Sequence, residues 1–250
     1  MNMITGFIPS RSGRRQQKKR VSESGNVLFY ILIAVALLAA LSYAVTRGGR
    51  SSTDNLNAER ARLSASELID FSNALSTAVA QLRLRGVKPS ELCFDHSGWG
   101  GANYNHAGCS DDLHKIFHPS GGGVNWTSAP AEAMDSSASP DNLWHIYGDN
   151  EIEQVGTTCA AAACADLILV VDELSLSVCQ EINDLLDVTA SGAAPPTDTD
   201  MGQTRYIGAF GYSATIGDEA GGSALVGKSS ACFQRTAGPE YVFYKVLIAR

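Results

Sequence analysis

Apolar residues run without a charge or a proline from Val27 to Val45, just behind a stretch holding Arg11, Arg14, Arg15, Lys18, Lys19 and Arg20. A helix rises about 1.5 Å per residue, so this run is just long enough to cross a hydrocarbon core of ~30 Å. Further on, Leu56, Leu63, Leu68, Phe71, Leu75, Val79 and Leu82 are mostly three, four or seven apart. That spacing predicts a helix with one apolar face, stopped by Gly86 and Pro89. Gly48-Gly49, between the two runs, is the expected weak point, because each glycine disfavours helix by about 1 kcal/mol relative to alanine.

From Leu92 to Ser139 the periodicity fades into Gly-, Ser-, Asn- and Asp-rich stretches such as GWGGANYNHAG and PSGGG. This segment reads as an irregular insertion stapled by cysteines. Leu143 to Tyr147 is a candidate strand, and Ala165 to Val171 (ADLILVV) is a short buried strand or the start of a helix. Leu174, Val178, Ile182, Leu185 and Leu186 mark an amphipathic helix. Ala190 to Gly202 is a linker or exposed loop by composition. Strand character follows at Arg205 to Phe210, Ala224 to Phe233 and Tyr241 to Ala249, the last two pairing as an antiparallel hairpin about Gly238-Pro239. The expected fold class is α+β: an N-terminal transmembrane helix continuing into an amphipathic helix, then a disulfide-stapled head with a C-terminal antiparallel sheet. Expected boundaries are a basic leader at 1–25, the transmembrane helix at 26–46, the amphipathic helix at 47–88 and the head at 89–250.

Charge gives these segments an orientation. Only Glu23 opposes the basic residues before the apolar run, so the positive-inside bias holds the N-terminus in the cytoplasm and exports the rest. The whole chain carries −7, and without its first 25 residues (six basic, one acidic) it has 13 Lys and Arg against 25 Asp and Glu, a net −12. Such an acidic exported part repels phosphate backbones, so no nucleic-acid partner is expected. All six cysteines lie beyond the apolar run, and an even number on the exported side reads as disulfides formed in an oxidising compartment. Cys93–Cys109 and Cys159–Cys164 would close short local loops, and Cys179–Cys232 would tie the late helix to the terminal sheet.

Three readings compete for the N-terminus. Ser42-Tyr43-Ala44 is a candidate small-x-small site for a signal peptidase, and an uncleaved anchor needs only length and flanking charge. The third uses the junction itself: Lys18-Lys19-Arg20, then Ser24-Gly25, then an apolar helix starting at once from Asn26. The basic leader, Gly25 and the abrupt apolar run from Val27 resemble the type IV pilin and type II secretion pseudopilin family, in which a prepilin peptidase cuts on the cytoplasmic side after a glycine. The resemblance implies cleavage between Gly25 and Asn26, leaving 225 residues. It implies a single-pass inner-membrane protein with its head periplasmic or extracellular. The implied partners are the inner membrane, the prepilin peptidase and other pilin-like subunits; no cofactor is implied, and the role is structural, not enzymatic. In such proteins the membrane helix continues into an amphipathic half packed on a small β-domain, and Cys179–Cys232 resembles their C-terminal loop closure. Family members usually begin with Phe and carry Glu at the fifth mature position, where Asn26 and Tyr30 stand here. That buried Glu would pair with a neighbour's terminal amine inside a filament, so its absence points to a minor or tip-type subunit.

Candidate chemistry adds one alternative. Cys93-x-x-His96 with His106-x-x-Cys109 has the donors of a tetrahedral zinc shell, which would suit an anchored periplasmic enzyme or sensor; a Cys93–Cys109 disulfide is the competing expectation. His114 and His118 read as a solvated loop pair before Pro119. Gly222 to Ser229 (GSALVGKS) fits the phosphate-loop spacing, yet the preceding buried strand and following helix that make such a loop work are not expected here. Asp111-Asp112 and Asp172-Glu173 are sequence neighbours whose side chains point apart. Asp141, Asn142, Asp149, Asn150 and Glu151 carry calcium-type oxygen ligands without the spacing of a calcium loop. No G-x-S-x-G elbow or H-E-x-x-H helix occurs, and the expectation is of no catalytic residue and no metal.

Overall fold

The computed structural model describes residues 24–100, 103–137 and 142–250, so the basic leader up to Glu23 and the candidate ligand Asp141 lie outside the described residues. The chain divides into two units, Met1–Thr53 and Asp54–Arg250. Helix α1 spans Ser24–Leu84 and has residues in both.

In the first unit, Val27–Val45 is the one described helical stretch long and apolar enough to cross a membrane, and none of its window is buried within the protein. Gly25 and Asn26 fall in the first turn of α1, and Gly48 and Gly49 also stay helical.

In the second unit, α1 buries Ala61, Ala65, Leu68, Leu75, Val79 and Leu82. At about 100° per residue these share one face. Leu56 and Leu63 were expected on it but are mostly exposed, because Leu63 sits about 200° around the helix from both Ala61 and Ala65. The helix ends at Gly86, whose φ of +95° only glycine adopts freely. Val87 N–H bonds Leu82 C=O and Gly86 N–H bonds Arg83 C=O, a Schellman closure of the last carbonyls.

Six strands form one mixed sheet: β1 (His145–Ile152), β2 (Asp166–Leu174), β3 (Thr197–Asp198), β4 (Ala214–Ile216), β5 (Ser230–Arg235) and β6 (Glu240–Ile248), in the order β3-β5-β6-β2-β1-β4. β5–β6, β6–β2 and β2–β1 are antiparallel, whereas β4 joins β1 and β3 joins β5 in parallel. The expected C-terminal antiparallel sheet is therefore corrected in two respects: at its centre the C-terminal β6 pairs with β2 from the middle of the chain, and both edges are parallel pairs. The run LILVV explains the first, since a strand apolar on both faces belongs in a sheet interior. Leu167, Leu169 and Val171 join the core of α1 and of α2 (Leu176–Leu185), while Ile168 and Val170 join a second core with Phe233, Val242 and Tyr244.

Two strand expectations and one linker expectation shift. The 205–210 segment is not a strand, and only Arg205 makes an isolated bridge, to Tyr147. Residues 220–225 form a 3₁₀ turn, so β5 starts at Ser230. The supposed linker at 190–202 contains β3 and the buried Asp198 and Met201.

Candidate functional site

The Cys/His region is built from short 3₁₀ turns, and its Leu92, Phe94 and Trp99 share a core with Val79 and Leu82 of α1. Cys93 and Cys109 form a disulfide with Cα atoms 5.0 Å apart. Around it both imidazoles cap short turns: His96 Nδ1 accepts Gly98 N–H at 3.0 Å, and His106 Nδ1 accepts Gly108 N–H at 3.1 Å. His96 stacks on Trp126 with centroids 5.3 Å apart, and His106 Nε2 lies 3.0 Å from Leu92 C=O. Gly208, at φ +85°, lets the chain pass His106 so closely that a Cβ there would sit 2.8 Å from Nδ1. A thiolate zinc shell has no thiolate here, because the two sulfurs are joined, and His96 Nδ1 and both ring nitrogens of His106 are turned to the backbone.

The neighbouring acids diverge. Asp111 Oδ1 accepts Leu113 N–H, while Asp112 meets Lys115 Nζ at 2.5 Å and His118 Nε2 at 3.6 Å. The Lys115 hydrogen bond, with His118 beside it, holds Asp112 below the usual carboxylate range. Asp172 pairs with His145 at 3.7 Å, and Glu173 takes a φ of +54° at the irregular end of β2.

The phosphate-loop spacing has no phosphate-loop geometry. Gly222 and Leu225 belong to the 3₁₀ turn, Lys228 Nζ donates to Asp187 C=O at 2.9 Å, and a strand follows where a helix would be required.

Buried carboxylates instead gather along β1, β2 and β3. Asp149 Oδ2 accepts from Thr204 N–H and Ser213 Oγ, and Glu151 accepts the amides of Cys159 and Ala160 and the Thr215 hydroxyl. Asn150 exchanges two hydrogen bonds with Gly202. These calcium-type ligands are thus occupied within the fold. Glu151 also lies near Cys159 and Cys164, but those sulfurs are joined, Cα to Cα 5.9 Å. Asp166 accepts Ile152 N–H and Arg250 N–H at 3.0 and 2.9 Å, and burial pushes its carboxyl up to about 6.

At the far edge, one oxygen from each of Asp198, Asp200 and Glu219 falls within 4.8 Å of the others. Burial, with Glu219 and Asp218 close by, pushes Asp198 up to about 6. These three escaped the sequence reading because they lie in segments that look like linker, TDTDMG and GDEAGG; the alternating acids of Asp198-x-Asp200 were the only signal. The remaining cysteines, Cys179 on α2 and Cys232 on β5, are joined with Cα atoms 5.4 Å apart. No protein-family model, curated protein or solved structure matches this chain.

Proposed function

We propose that this chain is a membrane-anchored, pilin-like structural subunit of minor or tip type, acting through contacts with other pilin-like subunits and not through catalysis. The observation that carries the reading is the composition of one helical element. Within Ser24–Leu84, Gly25 precedes a wholly exposed apolar run, and a later stretch supplies a buried face to the core of the second unit. An exposed run of that length needs lipid or other apolar helices around it. The basic residues before Gly25 are suited to keep the N-terminus in the cytoplasm, within reach of a prepilin peptidase of the inner membrane. The head then stands on the periplasmic or extracellular side, where its disulfides persist. Zinc chemistry at 93–118 is the weaker alternative, since its thiols are paired.

The test is the N-terminus of the membrane-extracted protein from cells with and without a prepilin peptidase. Mass spectrometry is expected to find a chain starting at Asn26 only when the peptidase is present. An intact Met1, or a start at Val45, overturns the reading in favour of a plain anchor or a secreted protein.

A further inference from the structure

Asp198 ends the edge strand β3 and is fully buried. Its Oδ2 accepts Gly217 N–H at 2.7 Å, whereas its Oδ1 is enclosed without a hydrogen-bond partner. A buried carboxylate oxygen left unpartnered is costly. The neighbours raise that cost, since one oxygen each of Asp200 and Glu219 lies within 4.8 Å of an Asp198 carboxylate oxygen. Glu219 Oε2 accepts the Thr199 hydroxyl at 2.7 Å, which neutralises no charge. Among the described ion pairs none involves any of the three acids. Arg235, opposite Asp198 in the strand register, pairs instead with Glu240.

What compensates such an arrangement is a positive charge that accepts oxygen ligands only. Three atoms mutually within 4.8 Å can share a centre no more than about 2.8 Å from each, close to the ~2.3–2.6 Å of Ca²⁺–oxygen bonds and loose for the ~2.0–2.1 Å of Mg²⁺. With no nitrogen or free sulfur in the set, zinc and copper are disfavoured.

We propose that Asp198, Asp200 and Glu219 form a binding site for a hard divalent cation of the Ca²⁺ class, fastening edge strand β3 to the turn at 217–225. The two segments already touch: Thr197 packs so tightly against Gly221 that no side chain fits there. The cation would replace repulsion by attraction across that contact. This site does not depend on the pilin-like reading.

The full chain, purified in detergent after chelator treatment, is titrated with CaCl₂ or MgCl₂ by calorimetry and unfolded thermally with and without each salt. The expected result is one Ca²⁺ per chain with Kd on the order of 10⁻⁴ M, weaker Mg²⁺ binding, and a rise in Tm that chelator reverses. Asp200 and Glu219 are exposed, so Asp200→Asn and Glu219→Gln keep the fold and each weaken binding at least about tenfold, while the double variant loses the Tm response. The doubly substituted D111N/D112N protein keeps it. Absence of heat and of any Tm change up to about 5 mM Ca²⁺, or a D200N/E219Q protein that binds like the parent, overturns the proposal.

Discussion

Asn183 holds β5 by both ends of its amide: Nδ2 donates to Cys232 C=O at 2.7 Å and Oδ1 accepts Cys232 N–H at 2.9 Å. The residue is fully buried, so truncation leaves two strand groups unpaired. Asn183→Ala is expected to destabilise the head by about 2–4 kcal/mol, read as a lower urea midpoint of the detergent-solubilised chain. Asp166 leads to a pH prediction. Its carboxyl is pushed up to about 6 from an ordinary 3.8, chiefly by burial and further by Glu151, against the pull of Arg250. The folded state therefore holds that proton more tightly than the unfolded one. The protonated acid's stabilisation is complete below about pH 4 and lost as pH rises through about 6. Asp166→Asn should flatten the fall in Tm between pH 4.5 and pH 7; an equally steep fall in the variant would refute the assignment. Neither residue stands out in the sequence. Asn183 occupies an ordinary helix position, and Asp166 looks like the polar edge of a strand, because their partners lie 49 and 84 residues away.

Among the elements, α2 is the clearest product of local rules. Ser175 caps it by accepting Val178 N–H, and Val178, Cys179 and Ile182 make its buried face. β2 is apolar on both faces and occupies the sheet interior for that reason. β3 and β4, two and three residues long, carry no periodicity to read. They exist because Thr197 pairs with Gln234 and Asn150 with Ala214, contacts between distant segments. The disulfides constrain these elements unequally. Cys179–Cys232 spans 53 residues and Cys159–Cys164 spans 5, so chain entropy predicts about 4 and about 2 kcal/mol of stabilisation respectively. Double alanine replacement of the first pair should lower the urea midpoint by more than replacement of the second. Equal effects would mean that strain or residual structure outweighs loop closure.

For the whole molecule, the exposed run at Val27–Val45 is long and apolar enough to cross a membrane. Tyr30 is a neutral residue within it, 63% exposed, and cannot offer a neighbouring amine a negative charge. The pilin-like reading therefore predicts no filaments when this chain is expressed alone with an assembly machinery, and low abundance beside a Glu-bearing partner. Electron microscopy of such cells checks this. Regular homopolymers of the unaltered chain would refute the minor-subunit role, whereas polymers only from Tyr30→Glu would support it. By itself the sequence determined what depends on local pattern: an apolar membrane-length helix, an amphipathic continuation, the α+β class and cysteines suited to disulfides. Each follows from residues a few positions apart, where helix and strand periods and compositional bias act directly. The tertiary structure alone decided the mixed order of the sheet, the buried partners of Asp149, Glu151 and Asp166, and the meeting of Asp198 and Asp200 with Glu219. Those outcomes depend on contacts between remote segments. Their energy comes from burying and satisfying polar groups together, which no window along the chain contains.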